Sequence, residues 1–291
     1  MGISEALQTQ LRGSGYPFER ILVPLDGSAS AERTLATVQA LCGRSASQIV
    51  LLRVVEPPPP GAAGPAAQDL VRIAELYLRR ASGALHLPEI QPKIAVRVGP
   101  ASETVLAVAA ENDISLIAMS THGRLTSTAL PFGTVADHLL RSSTVPILAI
   151  PAHASAAKSE NASRTLLVPF QGNPSDRNIV PIAVDFAVAI GADLAVLLWI
   201  APPAWTGRGE AEVLVDGEQR LRKLAGPFES KRIPTVQLVK RGDPVAAILE
   251  AARSSEADVL AIGTGSDAGG DSILRTVLAT STIPVLLSPA S

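Results

Sequence analysis

The chain has 291 residues, 47% of them hydrophobic and 18% charged, which suits about two domains with cores of their own and excludes disorder as the main state. Twenty-five basic residues stand against 27 acidic ones, a net charge of −2, so a polyanion finds no general attraction. Five Phe, two Tyr and two Trp are too few for base-stacking platforms along a single strand, and nucleic-acid binding is disfavoured twice over.

In chain order, short β-branched runs over 20–25, 48–55, 93–98, 115–120 and 145–150 have the continuous apolar character of buried parallel strands. Between them, 30–42, 67–82, 101–111 and 134–141 carry helical spacing, with Val105, Leu106, Val108 and Ala109 forming one stripe. The second half repeats the first in order. Residues 21–30 (ILVPLDGSAS) align with 166–175 (LLVPFQGNPS), 51–54 with 197–200, 98–109 with 241–252, 116–120 with 259–263, and 145–152 with 283–290. A period this long makes each copy a whole domain, 18–152 and 164–290, joined by an Ala/Ser-rich stretch. Strand and helix alternate in both copies, so each is expected to be an open parallel α/β sheet with helices on both faces. Ligands of such sheets sit beyond the C-terminal strand ends.

The strongest local signal follows the fourth strand. Met119-Ser120-Thr121-His122-Gly123 is followed by nine residues and then Gly133-Thr134-Val135, which opens a helix. Gly123 allows a close backbone approach, and Gly133 with Thr134 offers free amides and a hydroxyl at a helix N-terminus, where anions are favoured. Arg124 adds charge from the loop. The first strand ends in Pro24-Leu25-Asp26-Gly27-Ser28, beside the fourth at the switch point, so Asp26 is expected in the same crevice. A carboxylate there accepts from a ribose hydroxyl or holds a divalent ion; it also suits a helix cap.

On these residues both halves resemble the universal stress protein family over nearly the whole chain after Phe18. The family motif is Gly, two residues, Gly, nine residues, then Gly and Ser or Thr, and here Ser120, Gly123, Gly133 and Thr134 stand at those places. Only the first Gly is altered, a change that is tolerated where the backbone is not at positive φ. The resemblance implies two tandem flavodoxin-like (Rossmann-like) domains, each a five-stranded parallel sheet of order 3-2-1-4-5, and ATP binding with Mg²⁺ or Mn²⁺. It carries Asp26 over to the ribose, phosphates and metal, and Val54 and Met119 to the adenine. Gly123, Gly133, Thr134 and Val135 match the phosphate loop, within a site expected to include Pro24, Leu25, Ser28, Ser120, His122 and Arg124. It also implies pairing through the fifth strands, 145–150 and 283–288, either in a homodimer or between the halves of one chain.

The second half departs from the motif. Gln171 stands for Asp26, Ser266 for Gly123 and Arg275 for Gly133, across a loop read as one residue shorter, leaving Gly263 and Thr276. It is expected to be a degenerate scaffold. Gly263-Thr-Gly265-Ser-Asp-Ala268 matches a dinucleotide fingerprint in form, but that fingerprint belongs on a first strand with a ribose-binding acid downstream, so NAD is rejected. There is no G-x-x-x-x-G-K-[ST], H-E-x-x-H, C-x-x-C or G-x-S-x-G motif, nor the Ser-Gly-Gly-x-Asp-Ser loop of ATP-pyrophosphatases. Catalytic residues are not evident.

Pro57–Pro60 must leave regular structure, as a connector, lid or partner surface, and Trp205 occupies the matching loop of the second half. Cys42 is alone, and His86, His122, His138 and His153 are scattered, so neither an intrachain disulfide nor a structural zinc site is expected, and a reducing cytoplasm fits. The N-terminal stretch lacks the pattern of a secretory signal, and no apolar run is long enough to span a bilayer. The function expected is a stress-response regulator binding adenine nucleotide in its first half. The alternative is an interaction scaffold without nucleotide, and Asp26, Gly123 and Gly133 discriminate between the two.

Overall fold

Strands form where aliphatic residues can be buried on both faces, as in Leu116-Ile117-Ala118-Met119 and along the whole of 165–170. The computed structural model describes residues 17–42, 45–46, 48–56, 67–87, 90–123, 133–155, 158, 162–173, 175–201, 209–264 and 268–289. In the first half β1 (Arg20–Pro24), β2 (Gln48–Val55), β3 (Lys93–Val98), β4 (Leu116–Ser120) and β5 (Ile147–Ile150) alternate with α1 (Ala29–Cys42), α2 (Ala67–Gly83), α3 (Ala101–Glu111) and α4 (Thr134–Ser142). In the second, β6 (Thr165–Phe170), β7 (Leu194–Ile200), β8 (Thr235–Lys240), β9 (Val259–Ile262) and β10 (Val285–Leu287) alternate with α5 (Ser175–Ile190), α6 (Glu210–Ser230), α7 (Pro244–Ser254) and α8 (Ala268–Thr280). The expected elements agree to within two residues at each end.

Each half keeps the order 3-2-1-4-5, but the two sheets are one. The ten strands run β3-β2-β1-β4-β5-β10-β9-β6-β7-β8. All neighbours are parallel except β5 and β10, which meet antiparallel with Leu148 opposite Leu286. Both fifth strands therefore have a neighbour on each side, β4 and β10 for β5, β9 and β5 for β10. Of the two expected pairings the chain adopts the internal one, and a homodimer through these strands is ruled out while they remain paired. The outer strands β3 and β8 are less buried and carry Lys93, Arg97 and Lys240, the charges by which open sheet edges resist further pairing.

One core lies on each face of the sheet. Ile21, Val23, Leu51 and Leu116 bury against α1 and α2, and Leu166, Val168, Leu197 and Trp199 against α5 and α6. Leu22, Ile117, Leu167 and Leu260 belong to the opposite face, with Val105, Leu139, Ile248 and Val277 of α3, α4, α7 and α8. Both cores cross the junction between halves, and Phe18 meets Phe186 edge-on at 5.5 Å. Cys42 lies in the first core, where burial pushes its thiol up to about 12 against the pull of Arg164.

The connection between halves is stitched down. Arg33 Nη2 donates to the Ala152 carbonyl at 2.5 Å, Ser155 N to Thr282 at 2.8 Å, and Lys158 Nζ to Asp258 at 3.2 Å. Arg164, 2% exposed, donates to the carbonyls of Lys158 and, across the junction, Ala40 at 2.9 Å. The last turn of α1 has no basic residue of its own, so Arg164 from the second half supplies the positive charge that a helix C-terminus attracts. Among the described residues no helix is long and apolar enough to cross a membrane.

Candidate functional site

The end of β1 turns sharply into α1. Gly27 takes φ +79°, a left-handed conformation that only glycine adopts at no cost. Asp26 Oδ1 accepts from Ser28 N at 2.9 Å, and Ser28 Oγ accepts from Ala31 N at 3.1 Å, so Ser28 is the N-cap of α1 and its hydroxyl is engaged in the fold. Leu25 is buried in the core; its amide donates to Leu52 and its carbonyl accepts from Arg53. Of the expected group at this strand end, Leu25 and Ser28 thus serve the turn, Pro24 lies half-buried in register with Leu52, and Asp26 has its second oxygen turned toward Gly123.

That oxygen meets the turn after β4. A β-carbon built on Gly123 would lie 2.6 Å from Asp26 Oδ2, so Gly123 is the residue that leaves room for the carboxylate. The neighbouring turn is tied by Ser120, whose Oγ donates to the His122 carbonyl at 2.8 Å and accepts from His122 N at 3.3 Å, and by Thr121 Oγ1 with His122 Nδ1 at 2.9 Å. Ser120 lies on an extended strand, so its side chain fits where the family motif has Gly and makes bonds a glycine cannot.

Thr121 N donates to Ile150, and its carbonyl accepts from Gly133 N at 2.9 Å, closing the base of the intervening loop. Gly133 is the N-cap of α4 at φ −70° with no side-chain cap. Its own amide is engaged, leaving those of Thr134, Val135 and Ala136 as the first-turn donors that a helix start offers an anion. Val54, Met119 and Val135 share the core beneath this end of the sheet. The structure therefore gathers Asp26, Ser120, His122 and Gly123 at one strand end and brings Gly133 to its loop base, over an apolar floor; Arg124 and the rest of the loop, 124–132, lie outside the described residues, as do Pro57–Pro60 and Trp205.

Sequence reasoning missed Tyr77 on α2, whose phenol reaches the same turn. Burial and the nearby Glu32 and Asp26 carboxylates push it up against the pull of Arg53, and its buried hydroxyl makes no hydrogen bond among the described residues. Its signal was position alone, on the inner face of a helix that covers β2.

The second half solves the same turn differently. Gly172 repeats the left-handed glycine at φ +86°, but Asp176, where the first half has Ala31, folds its carboxylate back onto the amides of Gln171, Gly172 and Asn173 at 2.9, 2.6 and 3.1 Å. Burial pushes its carboxyl up against the pull of those three amides. With Gln171 in place of Asp26, the loop is filled by the protein's own anion. Asp176→Ala strands three donors and should lower stability by about 2 kcal/mol, read as a fall in the urea midpoint at unchanged m value; an unchanged midpoint would refute that role. Beneath the turn, Trp199 replaces Arg53 and touches the Gly172 and Gly217 positions, with the Arg220 guanidinium 5.1 Å from its ring. The first half has Arg53 and Tyr77 at the matching places, so the cation and the aromatic have traded strand for helix.

The alignment of the second motif needs correction. Ile117 pairs with Ile147, 30 residues on, whereas its counterpart Leu260 pairs with Val285, 25 residues on. The strand-to-strand connection is five residues shorter, not one. Arg275 therefore lies within α8 as the counterpart of Asp137, not of Gly133, and Thr276 is no phosphate-loop residue.

A parallel sheet that orders its strands 3-2-1-4-5 and brings the ends of the first and fourth together is the flavodoxin-like class. The family model of the universal stress protein family matches residues 17–151 and again 162–289, and the chain belongs to that family, with two copies in tandem. Universal stress protein Sll1654 of Synechocystis sp. is 33% identical over 140 residues, 48% of this chain and 89% of that protein. A universal stress protein of Archaeoglobus fulgidus shares the fold at a TM-score of 0.71 and 16% identity, over 94% of this chain and 99% of its own. A putative universal stress protein of Pseudomonas aeruginosa does so at 0.58 and 17%, over 94% and 93%.

Proposed function

We propose that the first half binds ATP with a divalent ion at the β1–β4 crevice and that the second half serves as its scaffold in a stress-response regulator. The observation that carries this is the meeting of Asp26 Oδ2 with Gly123, where the carboxylate takes the place of a β-carbon, at the strand end to which Thr121 ties the helix start at Gly133. Asp26 would meet the ribose or the phosphate-bound ion, the first-turn amides of α4 the phosphates, and Val54, Met119 and Val135 would underlie the base. Among the described residues no group of three or more His, Cys, Asp or Glu is placed to hold a metal, so the ion would come with the nucleotide's phosphates. In the second half the equivalent turn is already filled by Asp176, which supports the division of roles. Occupancy would act by population shift, favouring whichever arrangement of the crevice binds the nucleotide more tightly.

The test is thermal. Protein stripped of nucleotide is melted with and without ATP and Mg²⁺, then with AMP, ADP and cyclic AMP, beside Asp26→Gln, which copies the second half. A ligand that binds only the folded state stabilises it, by about 2.7 kcal/mol at a hundred times Kd. A shift in the wild type that Asp26→Gln loses is expected; no shift at millimolar ATP, with both proteins folded, overturns the reading.

A further inference from the structure

The strand pairing that joins the halves is self-complementary. Leu148 and Leu286, which face each other, hold the same place in the repeat when counted from the shared turns 142–146 (SSTVP) and 280–284 (TSTIP). Ser143 and Ser281 confirm the equivalence, since each hydroxyl donates two residues on, to Val145 and Ile283, at 2.7 Å. A pseudo-twofold axis therefore passes between the two leucines, with Ile147 facing Leu287 and Ala149 facing Val285 on either side. These aliphatic pairs cannot tell an unlike half from a like one. The first half of a second copy would offer Leu148 to Leu148 with the same hydrogen bonds.

Asp137 on α4 and Arg275 on α8 behave differently. They too are counterparts, and they touch, Arg275 Nη2 lying 2.5 Å from Asp137 Oδ1. A residue that contacts its own counterpart sits on the axis, where a symmetric pairing sets it against itself. Two first halves would then oppose Asp137 to Asp137, and two second halves Arg275 to Arg275. Phe18 and Phe186 add a second asymmetry on the other face, because their counterparts are Ser163 and Leu41.

We propose that Asp137 and Arg275 form a recognition pair on the pseudo-twofold axis by which each half selects the unlike half and rejects a copy of itself. The duplicated chain then pairs first half with second half instead of joining another chain like half to like half through an interface whose backbone would accept either. The pair is partly exposed, at 37% and 29% of the two side chains, so its effect on total stability is modest while its effect on choice of partner is direct. Arg141 also approaches Asp137, at 3.3 Å. Burial pulls the Asp137 carboxyl up, and the two guanidiniums outweigh it and hold the group below its ordinary range. The folded state thus holds this proton less tightly than the unfolded chain, and the stabilisation is complete above about pH 4 and fades as the pH falls below it. The inference is independent of nucleotide binding.

The test uses the whole protein with a protease site placed in the stretch 156–161 and cut after folding, so that both halves stay present. Wild type and the exchanged variant Asp137→Arg/Arg275→Asp, one of them isotope-labelled, are unfolded together, refolded and weighed by native mass spectrometry. Matched pairs should exceed mismatched ones about fivefold at low salt, with like-half pairs absent and the preference reduced in 1 M NaCl. A statistical mixture of pairings overturns the proposal. Should the cut halves fail to refold, melting of the four uncut proteins decides: each single variant should melt lower and the exchanged one recover, whereas an exchanged variant no better than the sum of the singles overturns it equally.

Discussion

Replacing Arg164 by Met should lower the stability of the chain by about 3 kcal/mol, the cost of taking a charged donor from two carbonyls and weakening the ion-pair cluster at Asp258. Arg164 is 2% exposed, lies 3.8 Å from the buried Asp258, and donates to Ala40 and Lys158. Its loss removes donors from two carbonyls and leaves Asp258 to Lys158 and the Thr165 amide. At roughly 2–4 °C per kcal/mol for a chain of about this size, the melting point should fall by at least 6 °C. Because one of the bonds crosses from the second half to α1, the variant should also unfold less cooperatively, with far-UV circular dichroism and tryptophan fluorescence no longer superimposing. Arg164→Lys keeps the charge but not the fork of donors and should fall between. Equal urea midpoints for wild type and Arg164→Met would show that the cluster contributes nothing.

Gly123→Val should abolish nucleotide-dependent stabilisation while leaving the fold intact. The new β-carbon would sit 2.6 Å from Asp26 Oδ2, and a carboxylate held by the Ser28 amide can move away only by giving up that bond. Gly123 is exposed and on no strand or helix, so the cost falls on the crevice and not on the core. Differential scanning fluorimetry with saturating ATP and Mg²⁺ checks this; a wild-type-sized shift in Gly123→Val would mean that nucleotide does not depend on the place Gly123 leaves for the Asp26 carboxylate. Gly123→Ser, the second half's own residue, should give the same loss.

Much of the fold was legible because its signals are local and repeated. Aliphatic runs marked the strands, and the duplication supplied a second reading of each element. The side-by-side ends of β1 and β4 followed from the alternation and from the resemblance, and Gly123 does meet Asp26. The joining of two sheets into one is not legible in the sequence, since the aliphatic fifth strands look alike whether they pair within a chain or between chains. The position of Arg275 was misread because a variable loop separates it from β9, and counting forward across that loop accumulates its gap. Counting backward from the matching SSTVP and TSTIP turns places Arg275 over Asp137, a signal present in the letters. Asp176 was hidden for another reason: its counterpart is Ala31, so no motif flagged it, and only the fold-back of its side chain onto three amides gives it a role.

Trp199 gives the molecule an optical reporter at the end of the sheet remote from Asp26. The sequence has two tryptophans, and this one is buried beneath the β6–α5 turn with a guanidinium over its ring. Its emission should be blue-shifted in the native state and should respond to events in the half that lacks the Asp26 carboxylate. The first half has Arg53 in the same place, so its crevice carries no indole at that position. With Trp205 replaced by Phe, any change in Trp199 emission on adding a ligand to the first half would therefore measure strain carried across the continuous sheet, with no label attached.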